Sequence, residues 1–348
     1  SRGWRVSKLD KFIKSAQASL EIDHAASKLQ GTAISLCEPD PWPDPVDGAE
    51  LLDDLANTIG RHMVMRSVDV DTCVAWAIHT HIFDVFSHTP RLLITAPDAE
   101  CGKTLLMVYL VGDLCNRPQS TELMKPAPFF RMITAHQPTF LIDEADVFLK
   151  EDVDLVAAIN NGWEPHGGVH RCVGEDLEVR EFSTYCPVAL AGIEMHKRLK
   201  STTISRSLII YLDRAAENEI AKEDIYDKRK HRTHVKQLAR KIARWCKDNK
   251  SAIKACDPVL PEGVRNRGAD KWRPLMAIAE TAGGDWPDRL RVAITKQPDI
   301  AEPTRAIQLL DDVHRILVID KGIHTRDLIF ELGQIQDAPW SEYNLKER

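Results

Sequence analysis

The sequence predicts an α/β protein built on a parallel sheet, and three observations carry that reading. Leu92 to Thr104 reads L-L-I-T-A-P-D-A-E-C-G-K-T: an apolar run, a turn, then Gly102-Lys103-Thr104. Further along, Thr139 to Asp146 reads T-F-L-I-D-E-A-D, a buried-strand pattern that ends in adjacent carboxylates. Beyond that, strand-like runs at Pro187 to Ile193 and Leu208 to Leu212 alternate with helix-like stretches. Strands that alternate with helices give parallel sheets, because a crossover between parallel strands needs a helix's length of chain.

The first segment has the layout of a phosphate-binding loop. Backbone N–H groups wrap an anion where the strand ends, and the following helix turns its positive dipole end toward it. On this reading Asp98, Ala99, Glu100, Cys101, Gly102, Lys103 and Thr104 enclose the phosphates of ATP. Lys103 reaches the β and γ phosphates, and the Thr104 hydroxyl ligates magnesium. A helix over Leu105 to Leu114 is expected next, apolar enough to pack under a sheet. The pattern G-x-x-x-x-G-K-T places a glycine five residues before Gly102, where Pro97 stands instead. Proline fixes φ and lacks an N–H, so the loop entrance takes another shape. The plain alternative is an ordinary strand–turn–helix with an exposed lysine.

In a parallel sheet the carboxylates of the second segment fall at the carboxyl end, beside such a loop. Asp143 would hold the magnesium, directly or through water, and Glu144 would polarise the attacking water. Alone, this segment also suits a strand that ends at an acidic turn. The two segments together read as the ATP and magnesium site of an NTPase.

Around this centre the chain divides into residues 1–45, 46–215 and 216–348. Residues 1 to 35 carry helical spacing at Leu9, Phe12, Ile13, Ala16 and Leu20, and P-D-P-W-P-D-P over 39–45 reads as a stiff linker. Asp47 to Met65 fits an amphipathic helix capped by Asp47 or Gly48, with Leu51, Leu52, Leu55 and Ile59 on one face. Asp69 to Phe86 reads as a second, apolar helix; the spacing of His79, His81 and His88 matches no common metal site. Pro126 to Ile133 and Val153 to Asn160 read as helices, and 169–182 as a hairpin around a polar turn. From Lys228 to Lys250 there are ten Lys/Arg residues against one acid, Asp248, along an apolar stripe of Leu238, Ile242 and Trp245. That helix is either a phosphate-backbone surface or a solvated face packed on its neighbour. Trp272 to Glu280, Ile307 to Ile316 and Thr325 to Ile335 complete a mostly helical C-terminal region.

Bulk properties exclude several classes. The 348 residues are 43% hydrophobic and 28% charged, with no stretch of eighteen apolar residues to span a membrane. The eight cysteines form no C-x-x-C pair, which argues against zinc and a disulfide framework and for reduced thiols in the cytoplasm. The net charge of −6 argues against general polyanion binding but leaves room for a local basic surface. The chain starts at Ser1 without a leader pattern and reads as a piece of a longer protein.

The order of elements over Leu92 to Arg214 resembles the AAA+ ATPases, followed by a helical lid. That resemblance implies a three-layer α/β/α core with N-terminal helices and a homo-oligomeric ring, expected as a hexamer, with ATP and magnesium between subunits. Arg206, in T-T-I-S-R-S-L-I-I, matches the arginine that reaches the neighbour's γ-phosphate. A hairpin before the sensor strand is what helicase-type members use to grip DNA, which nominates His170, Arg171 and Arg180. The sensor strand departs from the pattern, running into Gly192-Ile193-Glu194 where Asn or Thr is usual. Arg267 or Arg273 is a candidate lid arginine.

The wider chain also resembles a family of unknown function found in phage, prophage and mobile-element proteins. P-W-P-D-P-V-D-G, A-E-C-G-K-T, L-I-D-E-A-D, R-E-F-S-T, D-K-W-R-P-L-M-A-I-A and D-A-P-W-S-E-Y-N carry that likeness. Three functions are compatible with all of this: a DNA helicase or translocase of a mobile-element replication system, an AAA+ switch or loader that remodels a protein partner, and a binding module with a degenerate loop.

Overall fold

A computed structural model describes residues 34, 36 and 38–340, apart from 150–151, 175, 217–218, 298–304, 320–322 and 336–339. The helical reading of residues 1–35 lies outside the described residues. Residues 1–37 form a unit of their own, and everything below concerns the unit from Glu38 onward.

Helix α1 (Gly48–His62) starts where the Asp47 carboxylate accepts the Glu50 N–H at 3.0 Å, and it buries Leu51, Leu52, Leu55 and Ile59. Its cap and apolar face follow the sequence pattern. Helix α2 (Ser67–His79) is buried along nearly its whole surface, which suits its apolar composition. It ends earlier than the expected Phe86. The Thr80 hydroxyl turns back to the Ala77 carbonyl at 2.6 Å, and a short 3₁₀ turn at Phe83–Val85 leads to the sheet.

Strand β1 (Arg91–Ala96) is buried at all six positions. The segment after the loop, α3 (Leu105–Val111), winds in π-type turns and closes in a 3₁₀ turn at Gly112–Leu114, where an α-helix was expected. Its buried residues Leu106, Met107, Leu110 and Val111 form two pairs four positions apart, which share one side of the helix. The chain continues through β2 (Pro118–Thr121), α4 (Pro126–His136), β3 (Thr139–Ile142), the short α5 (Ala145–Phe148) and α6 (Val153–Asn161). The hairpin strands β4 (Gly168–Val173) and β5 (Glu178–Ser183) pair antiparallel as a sheet of their own. Strand β6 (Val188–Ile193), two single-turn helices α7 (Met195–Arg198) and α8 (Ser201–Ile204), and β7 (Ser207–Tyr211) complete the core.

The main sheet is five-stranded and parallel, in the order β2-β3-β6-β1-β7. Its faces belong to different cores. Leu92 and Ile94 of β1 pack with α1, α2, α3 and the later helices, while Leu93 packs with Phe129, Ile133 and Ile159 of α4 and α6. Successive side chains of a strand point to opposite faces, so a strand buried throughout needs a helical layer on each side. The result is a three-layer α/β/α arrangement.

Helices α9 (Lys228–Ala255), α10 (Arg267–Ala282) and α11 (Trp286–Lys296) join α1 and α2 in the first of those cores, and α12 (Arg305–Ile319) and α13 (Thr325–Gln334) follow. The basic helix α9 buries one face, with Val235, Leu238, Ile242 and Trp245, and leaves its cations half-buried or exposed. Arg232 pairs with Asp113, Lys241 with Asp54 and Lys250 with Asp84. Arg240 and Arg244 donate to the carbonyls of Asp40, Trp42 and Pro43, which straps the proline-rich linker to the helix. Five of the ten cations of 228–250 (Lys230, Arg232, Lys241, Arg244 and Lys250) are ion-paired within the chain, while Lys228, Arg229, Lys236 and Lys247 are exposed without an ion pair among the described residues. No helix of the described residues is long and apolar enough to cross a membrane.

Candidate functional site

The parallel order puts the ends of β1 and β3 on one edge of the sheet, with β6 between them. From β1 the chain bends at exposed Pro97 and reaches positive φ at Glu100 (62°) and Gly102 (80°). The φ of 80° is what favours glycine at 102, since a Cβ there would meet only the flexible end of Met63, at 3.0 Å from its Cε. The Gly102 carbonyl then accepts the Leu106 N–H at 2.9 Å and starts the helix. Lys103 Nζ folds back onto the Asp98 carbonyl at 2.7 Å, inside the loop's own span.

Strand β3 delivers the carboxylates. Asp143 is buried and its N–H donates to the Thr121 carbonyl. One carboxylate oxygen accepts the Glu144 N–H at 3.0 Å, and the other accepts the Thr104 hydroxyl at 2.7 Å. Residues thirty-nine apart in sequence are thus joined by a direct hydrogen bond. Glu144 takes a left-handed conformation (φ 51°) and is exposed beside the cleft. A non-glycine residue there is strained, and such strain is kept where the surroundings fix it.

The cleft measures about 450 Å³ and is lined by residues from 99–105, 143–147 and 192–193. It gathers Ala99, Glu100, Gly102, Lys103, Thr104, Asp143 and Glu144 of the residues named from sequence. Asp98 contributes its carbonyl to Lys103 and does not line the cleft, and buried Cys101 turns its thiol to the Ala99 carbonyl. Asp146 and Gly192 were missed. Asp146 Oδ1 lies where a Gly192 Cβ would come within 2.4 Å, so glycine at the next-to-last position of β6 lets the acidic turn pack against it. The D-E-A-D run held that signal for Asp146. Gly192 had none. The far Asp146 oxygen accepts Arg198 at 2.9 Å, and Arg214 bridges Glu100 at 3.0 Å.

Arg206 lies elsewhere. It precedes β7, and its carbonyl accepts the N–H of Arg91, the first residue of β1. The phosphate loop follows the last residue of β1, so six residues of strand separate the two ends. At about 3.3 Å per residue that is roughly 17 Å, too far for Arg206 to touch a phosphate in its own cleft. Its guanidinium donates to the Thr202 carbonyl at 2.7 Å and lines a second cleft of about 710 Å³. Burial first, and then the neighbouring Arg267, lower its pKa. Arg273 pairs with Asp257.

The hairpin residues are exposed, but their charges are mixed. Arg180 is held by Glu178 at 2.9 Å, Arg171 lies over the Phe130 ring at 5.8 Å, and His170 pairs across the strands with Glu181. Leu177 and Val179 near the tip are 68% and 69% exposed. The histidines considered for metal serve packing: His79 bonds Thr89, His81 the Leu114 carbonyl, and His88 faces Glu164. Among the described residues, no group of three or more His, Cys, Asp or Glu side chains is placed to hold a metal ion.

Comparison with known proteins gives family information without an activity. Residues 212–347 match the model of a family described as "Protein of unknown function (DUF3631)", in keeping with the likeness to a family of unknown function. A curated relative, "Uncharacterized 28.9 kDa protein in xis 5′ region" of Saccharopolyspora erythraea, is 30% identical over 122 residues. That match covers 34% of this chain, and the chain spans 46% of the relative's length.

Proposed function

We propose that the protein is a magnesium-dependent ATPase of the AAA+ type that works as a homo-oligomeric DNA helicase or translocase. The observation that carries the ATPase reading is the 2.7 Å hydrogen bond between the Thr104 hydroxyl and Asp143. It sets two hard oxygen donors side by side at the floor of a cleft that also holds Lys103 and Glu144. One carboxylate and one hydroxyl fit magnesium, which is commonly held by few protein groups with the rest supplied by phosphate and water. When bound, the ion draws charge from the phosphate oxygens.

The chain's own residues do the remainder. Amides of the loop around Gly102 bind the phosphates, and Lys103 exchanges the Asp98 carbonyl for a phosphate oxygen. Glu144 orients a water and accepts its proton. Arg206, at the other end of the sheet, serves a cleft only in a neighbouring copy, and such arginines contribute roughly 10³ to 10⁵ in rate. The helices from 228 onward would then act as the lid region of each subunit.

The DNA part rests on the sequence resemblance. The protein-remodelling reading is supported by a specific observation: the hairpin mixes acids with its arginines and exposes Leu177 and Val179, while five of the eleven cations of α9 are ion-paired within the chain. ATP turnover measured against protein concentration, with and without single-stranded DNA, separates them. The DNA motor requires a rate per subunit that rises with concentration and again with DNA. A concentration-dependent rate indifferent to DNA would favour the remodeller, and no hydrolysis would sink both.

A further inference from the structure

The loop at 97–104 carries an acid on the cleft it is proposed to close around phosphates. Among the described residues, the lining of that cleft sets Glu100, Asp143, Glu144 and Asp146 against Lys103. Phosphates entering it meet repulsion from every carboxylate that nothing else covers. Asp143 would face the metal, Glu144 a water, and Asp146 is already held by Arg198 at 2.9 Å. Glu100 has no part in that chemistry.

What Glu100 holds is Arg214, at 3.0 Å, with the two side chains 76% and 73% exposed. An ion pair so open to water adds little to stability. Glu100 nevertheless makes it from a left-handed backbone, φ 62°, which a non-glycine residue rarely adopts. The effect of the pair is therefore on where Arg214 stands.

Arg214 comes from the flank opposite the metal. The Leu212 N–H donates to the Thr95 carbonyl at 2.9 Å, so the chain leaving β7 runs beside the end of β1 and the start of the loop. Asp143 and Glu144 leave β3, on the far side of β6 and β1 from β7. Strands lie about 4.8 Å apart, which sets the two flanks roughly 14 Å from each other. Magnesium at Thr104 and Asp143 marks the β and γ phosphates, so a cation on the β7 flank meets the rest of the ligand, toward the α phosphate.

We propose that Arg214 is a further nucleotide-binding residue of this cleft, and that Glu100 holds its guanidinium at the rim until a phosphate takes the carboxylate's place. The proposal rests on the reading of the cleft as a nucleotide site. It differs from the role given to Arg206 because ADP carries the groups that Arg214 meets, and because the arginine acts within its own subunit. A guanidinium fork passes readily from carboxylate to phosphate, since both accept it through two oxygens. Glu100 then turns to water.

The test is calorimetric binding of ADP and of ATP to the protein carrying Arg214→Gln or Glu100→Gln, both at exposed positions where the fold tolerates the change. Arg214→Gln should weaken both nucleotides roughly tenfold, through loss of a charged hydrogen bond. Glu100→Gln should tighten both about threefold, by removing the competitor. Both shifts should persist in about 0.5 M salt, where charges that do not touch the ligand are screened. A pair that only braces the loop makes both substitutions weaken binding, and that result overturns the proposal. So do affinities indifferent to either substitution, shifts that vanish in salt, and a wild type that binds neither nucleotide. A loss confined to ATP also overturns it, because Arg214 would then serve the γ phosphate. Turnover is read separately. A wild type that shows these shifts and never hydrolyses ATP sinks the ATPase reading and leaves Arg214 in place. A wild type that hydrolyses ATP while its affinities ignore both substitutions sinks the role of Arg214 alone.

Discussion

Replacing Thr104 with valine keeps the shape of the side chain and removes one hydroxyl, so it isolates the contact on which the proposed nucleotide cleft is built. Without ligand, the change deletes a 2.7 Å hydrogen bond and leaves one oxygen of buried Asp143 without that donor. A hydrogen bond of this kind contributes about 1 kcal/mol net, and Thr104 is exposed, so water recovers part of the loss. A domain of this size should lose about 2 °C in Tm for each kcal/mol. With ligand the effect should be larger. Nucleotide at a hundred times its Kd stabilises the wild type by about 2.7 kcal/mol, roughly 5 °C. In Thr104→Val the magnesium-dependent part of that shift should vanish, while the shift given by nucleotide in excess EDTA stays. Thermal denaturation in four conditions (with and without nucleotide, each with magnesium or EDTA) reads both effects. A Thr104→Val protein with the full magnesium-dependent shift would refute the assignment of Thr104 and Asp143 as the metal's ligands.

Two further changes test the structure around the site. Gly102→Ala places a Cβ at φ 80° and 3.0 Å from Met63 Cε, so it should cost about 1–2 kcal/mol and weaken nucleotide binding; an unchanged Tm would mean the loop adopts another conformation. His79 is fully buried, and burial lowers its pKa to about 3, against 6.5 in the unfolded chain. Its stabilising effect is present above pH 6.5 and is lost as the pH falls from 6.5 toward 3, by about 1.4 kcal/mol per unit. His79→Gln, which keeps a hydrogen bond to Thr89, should remove up to about 2.7 kcal/mol of the destabilisation seen between pH 6.5 and 4.5. Urea unfolding at those two pH values checks this, and parallel pH slopes for variant and wild type would count against a buried neutral imidazole.

Local patterns made the centre of the molecule legible. Gly102-Lys103-Thr104 and Asp143-Glu144 were readable because each sits at a strand end, where a short motif fixes its own backbone, and the parallel sheet then brings them within hydrogen-bonding distance. Alternation of strand and helix gave the parallel sheet, but not the placement of β6 between β1 and β3, which depends on contacts far apart in sequence. The same distance in sequence hid the fate of the basic helix. Its partners Asp54, Asp84 and Asp113 lie more than a hundred residues earlier, so the run by itself left a phosphate-backbone surface and a packed, solvated face equally open. Arg91 gave no signal either. A single arginine at the head of an apolar strand reads as its exposed end, whereas here it is wholly buried between α6 and β6.

The most direct test of magnesium-dependent hydrolysis at this cleft compares Glu144→Gln with the wild type in ATP binding and in ATP turnover. The substitution removes the group proposed to take the proton of the attacking water and leaves the loop, Lys103, Thr104 and Asp143 in place. ATP binding should stay within a few fold of the wild type, while turnover in magnesium should fall by roughly 10² or more. A variant that hydrolyses ATP at the wild-type rate, or a wild-type protein that binds ATP in magnesium and never turns it over, would contradict the account.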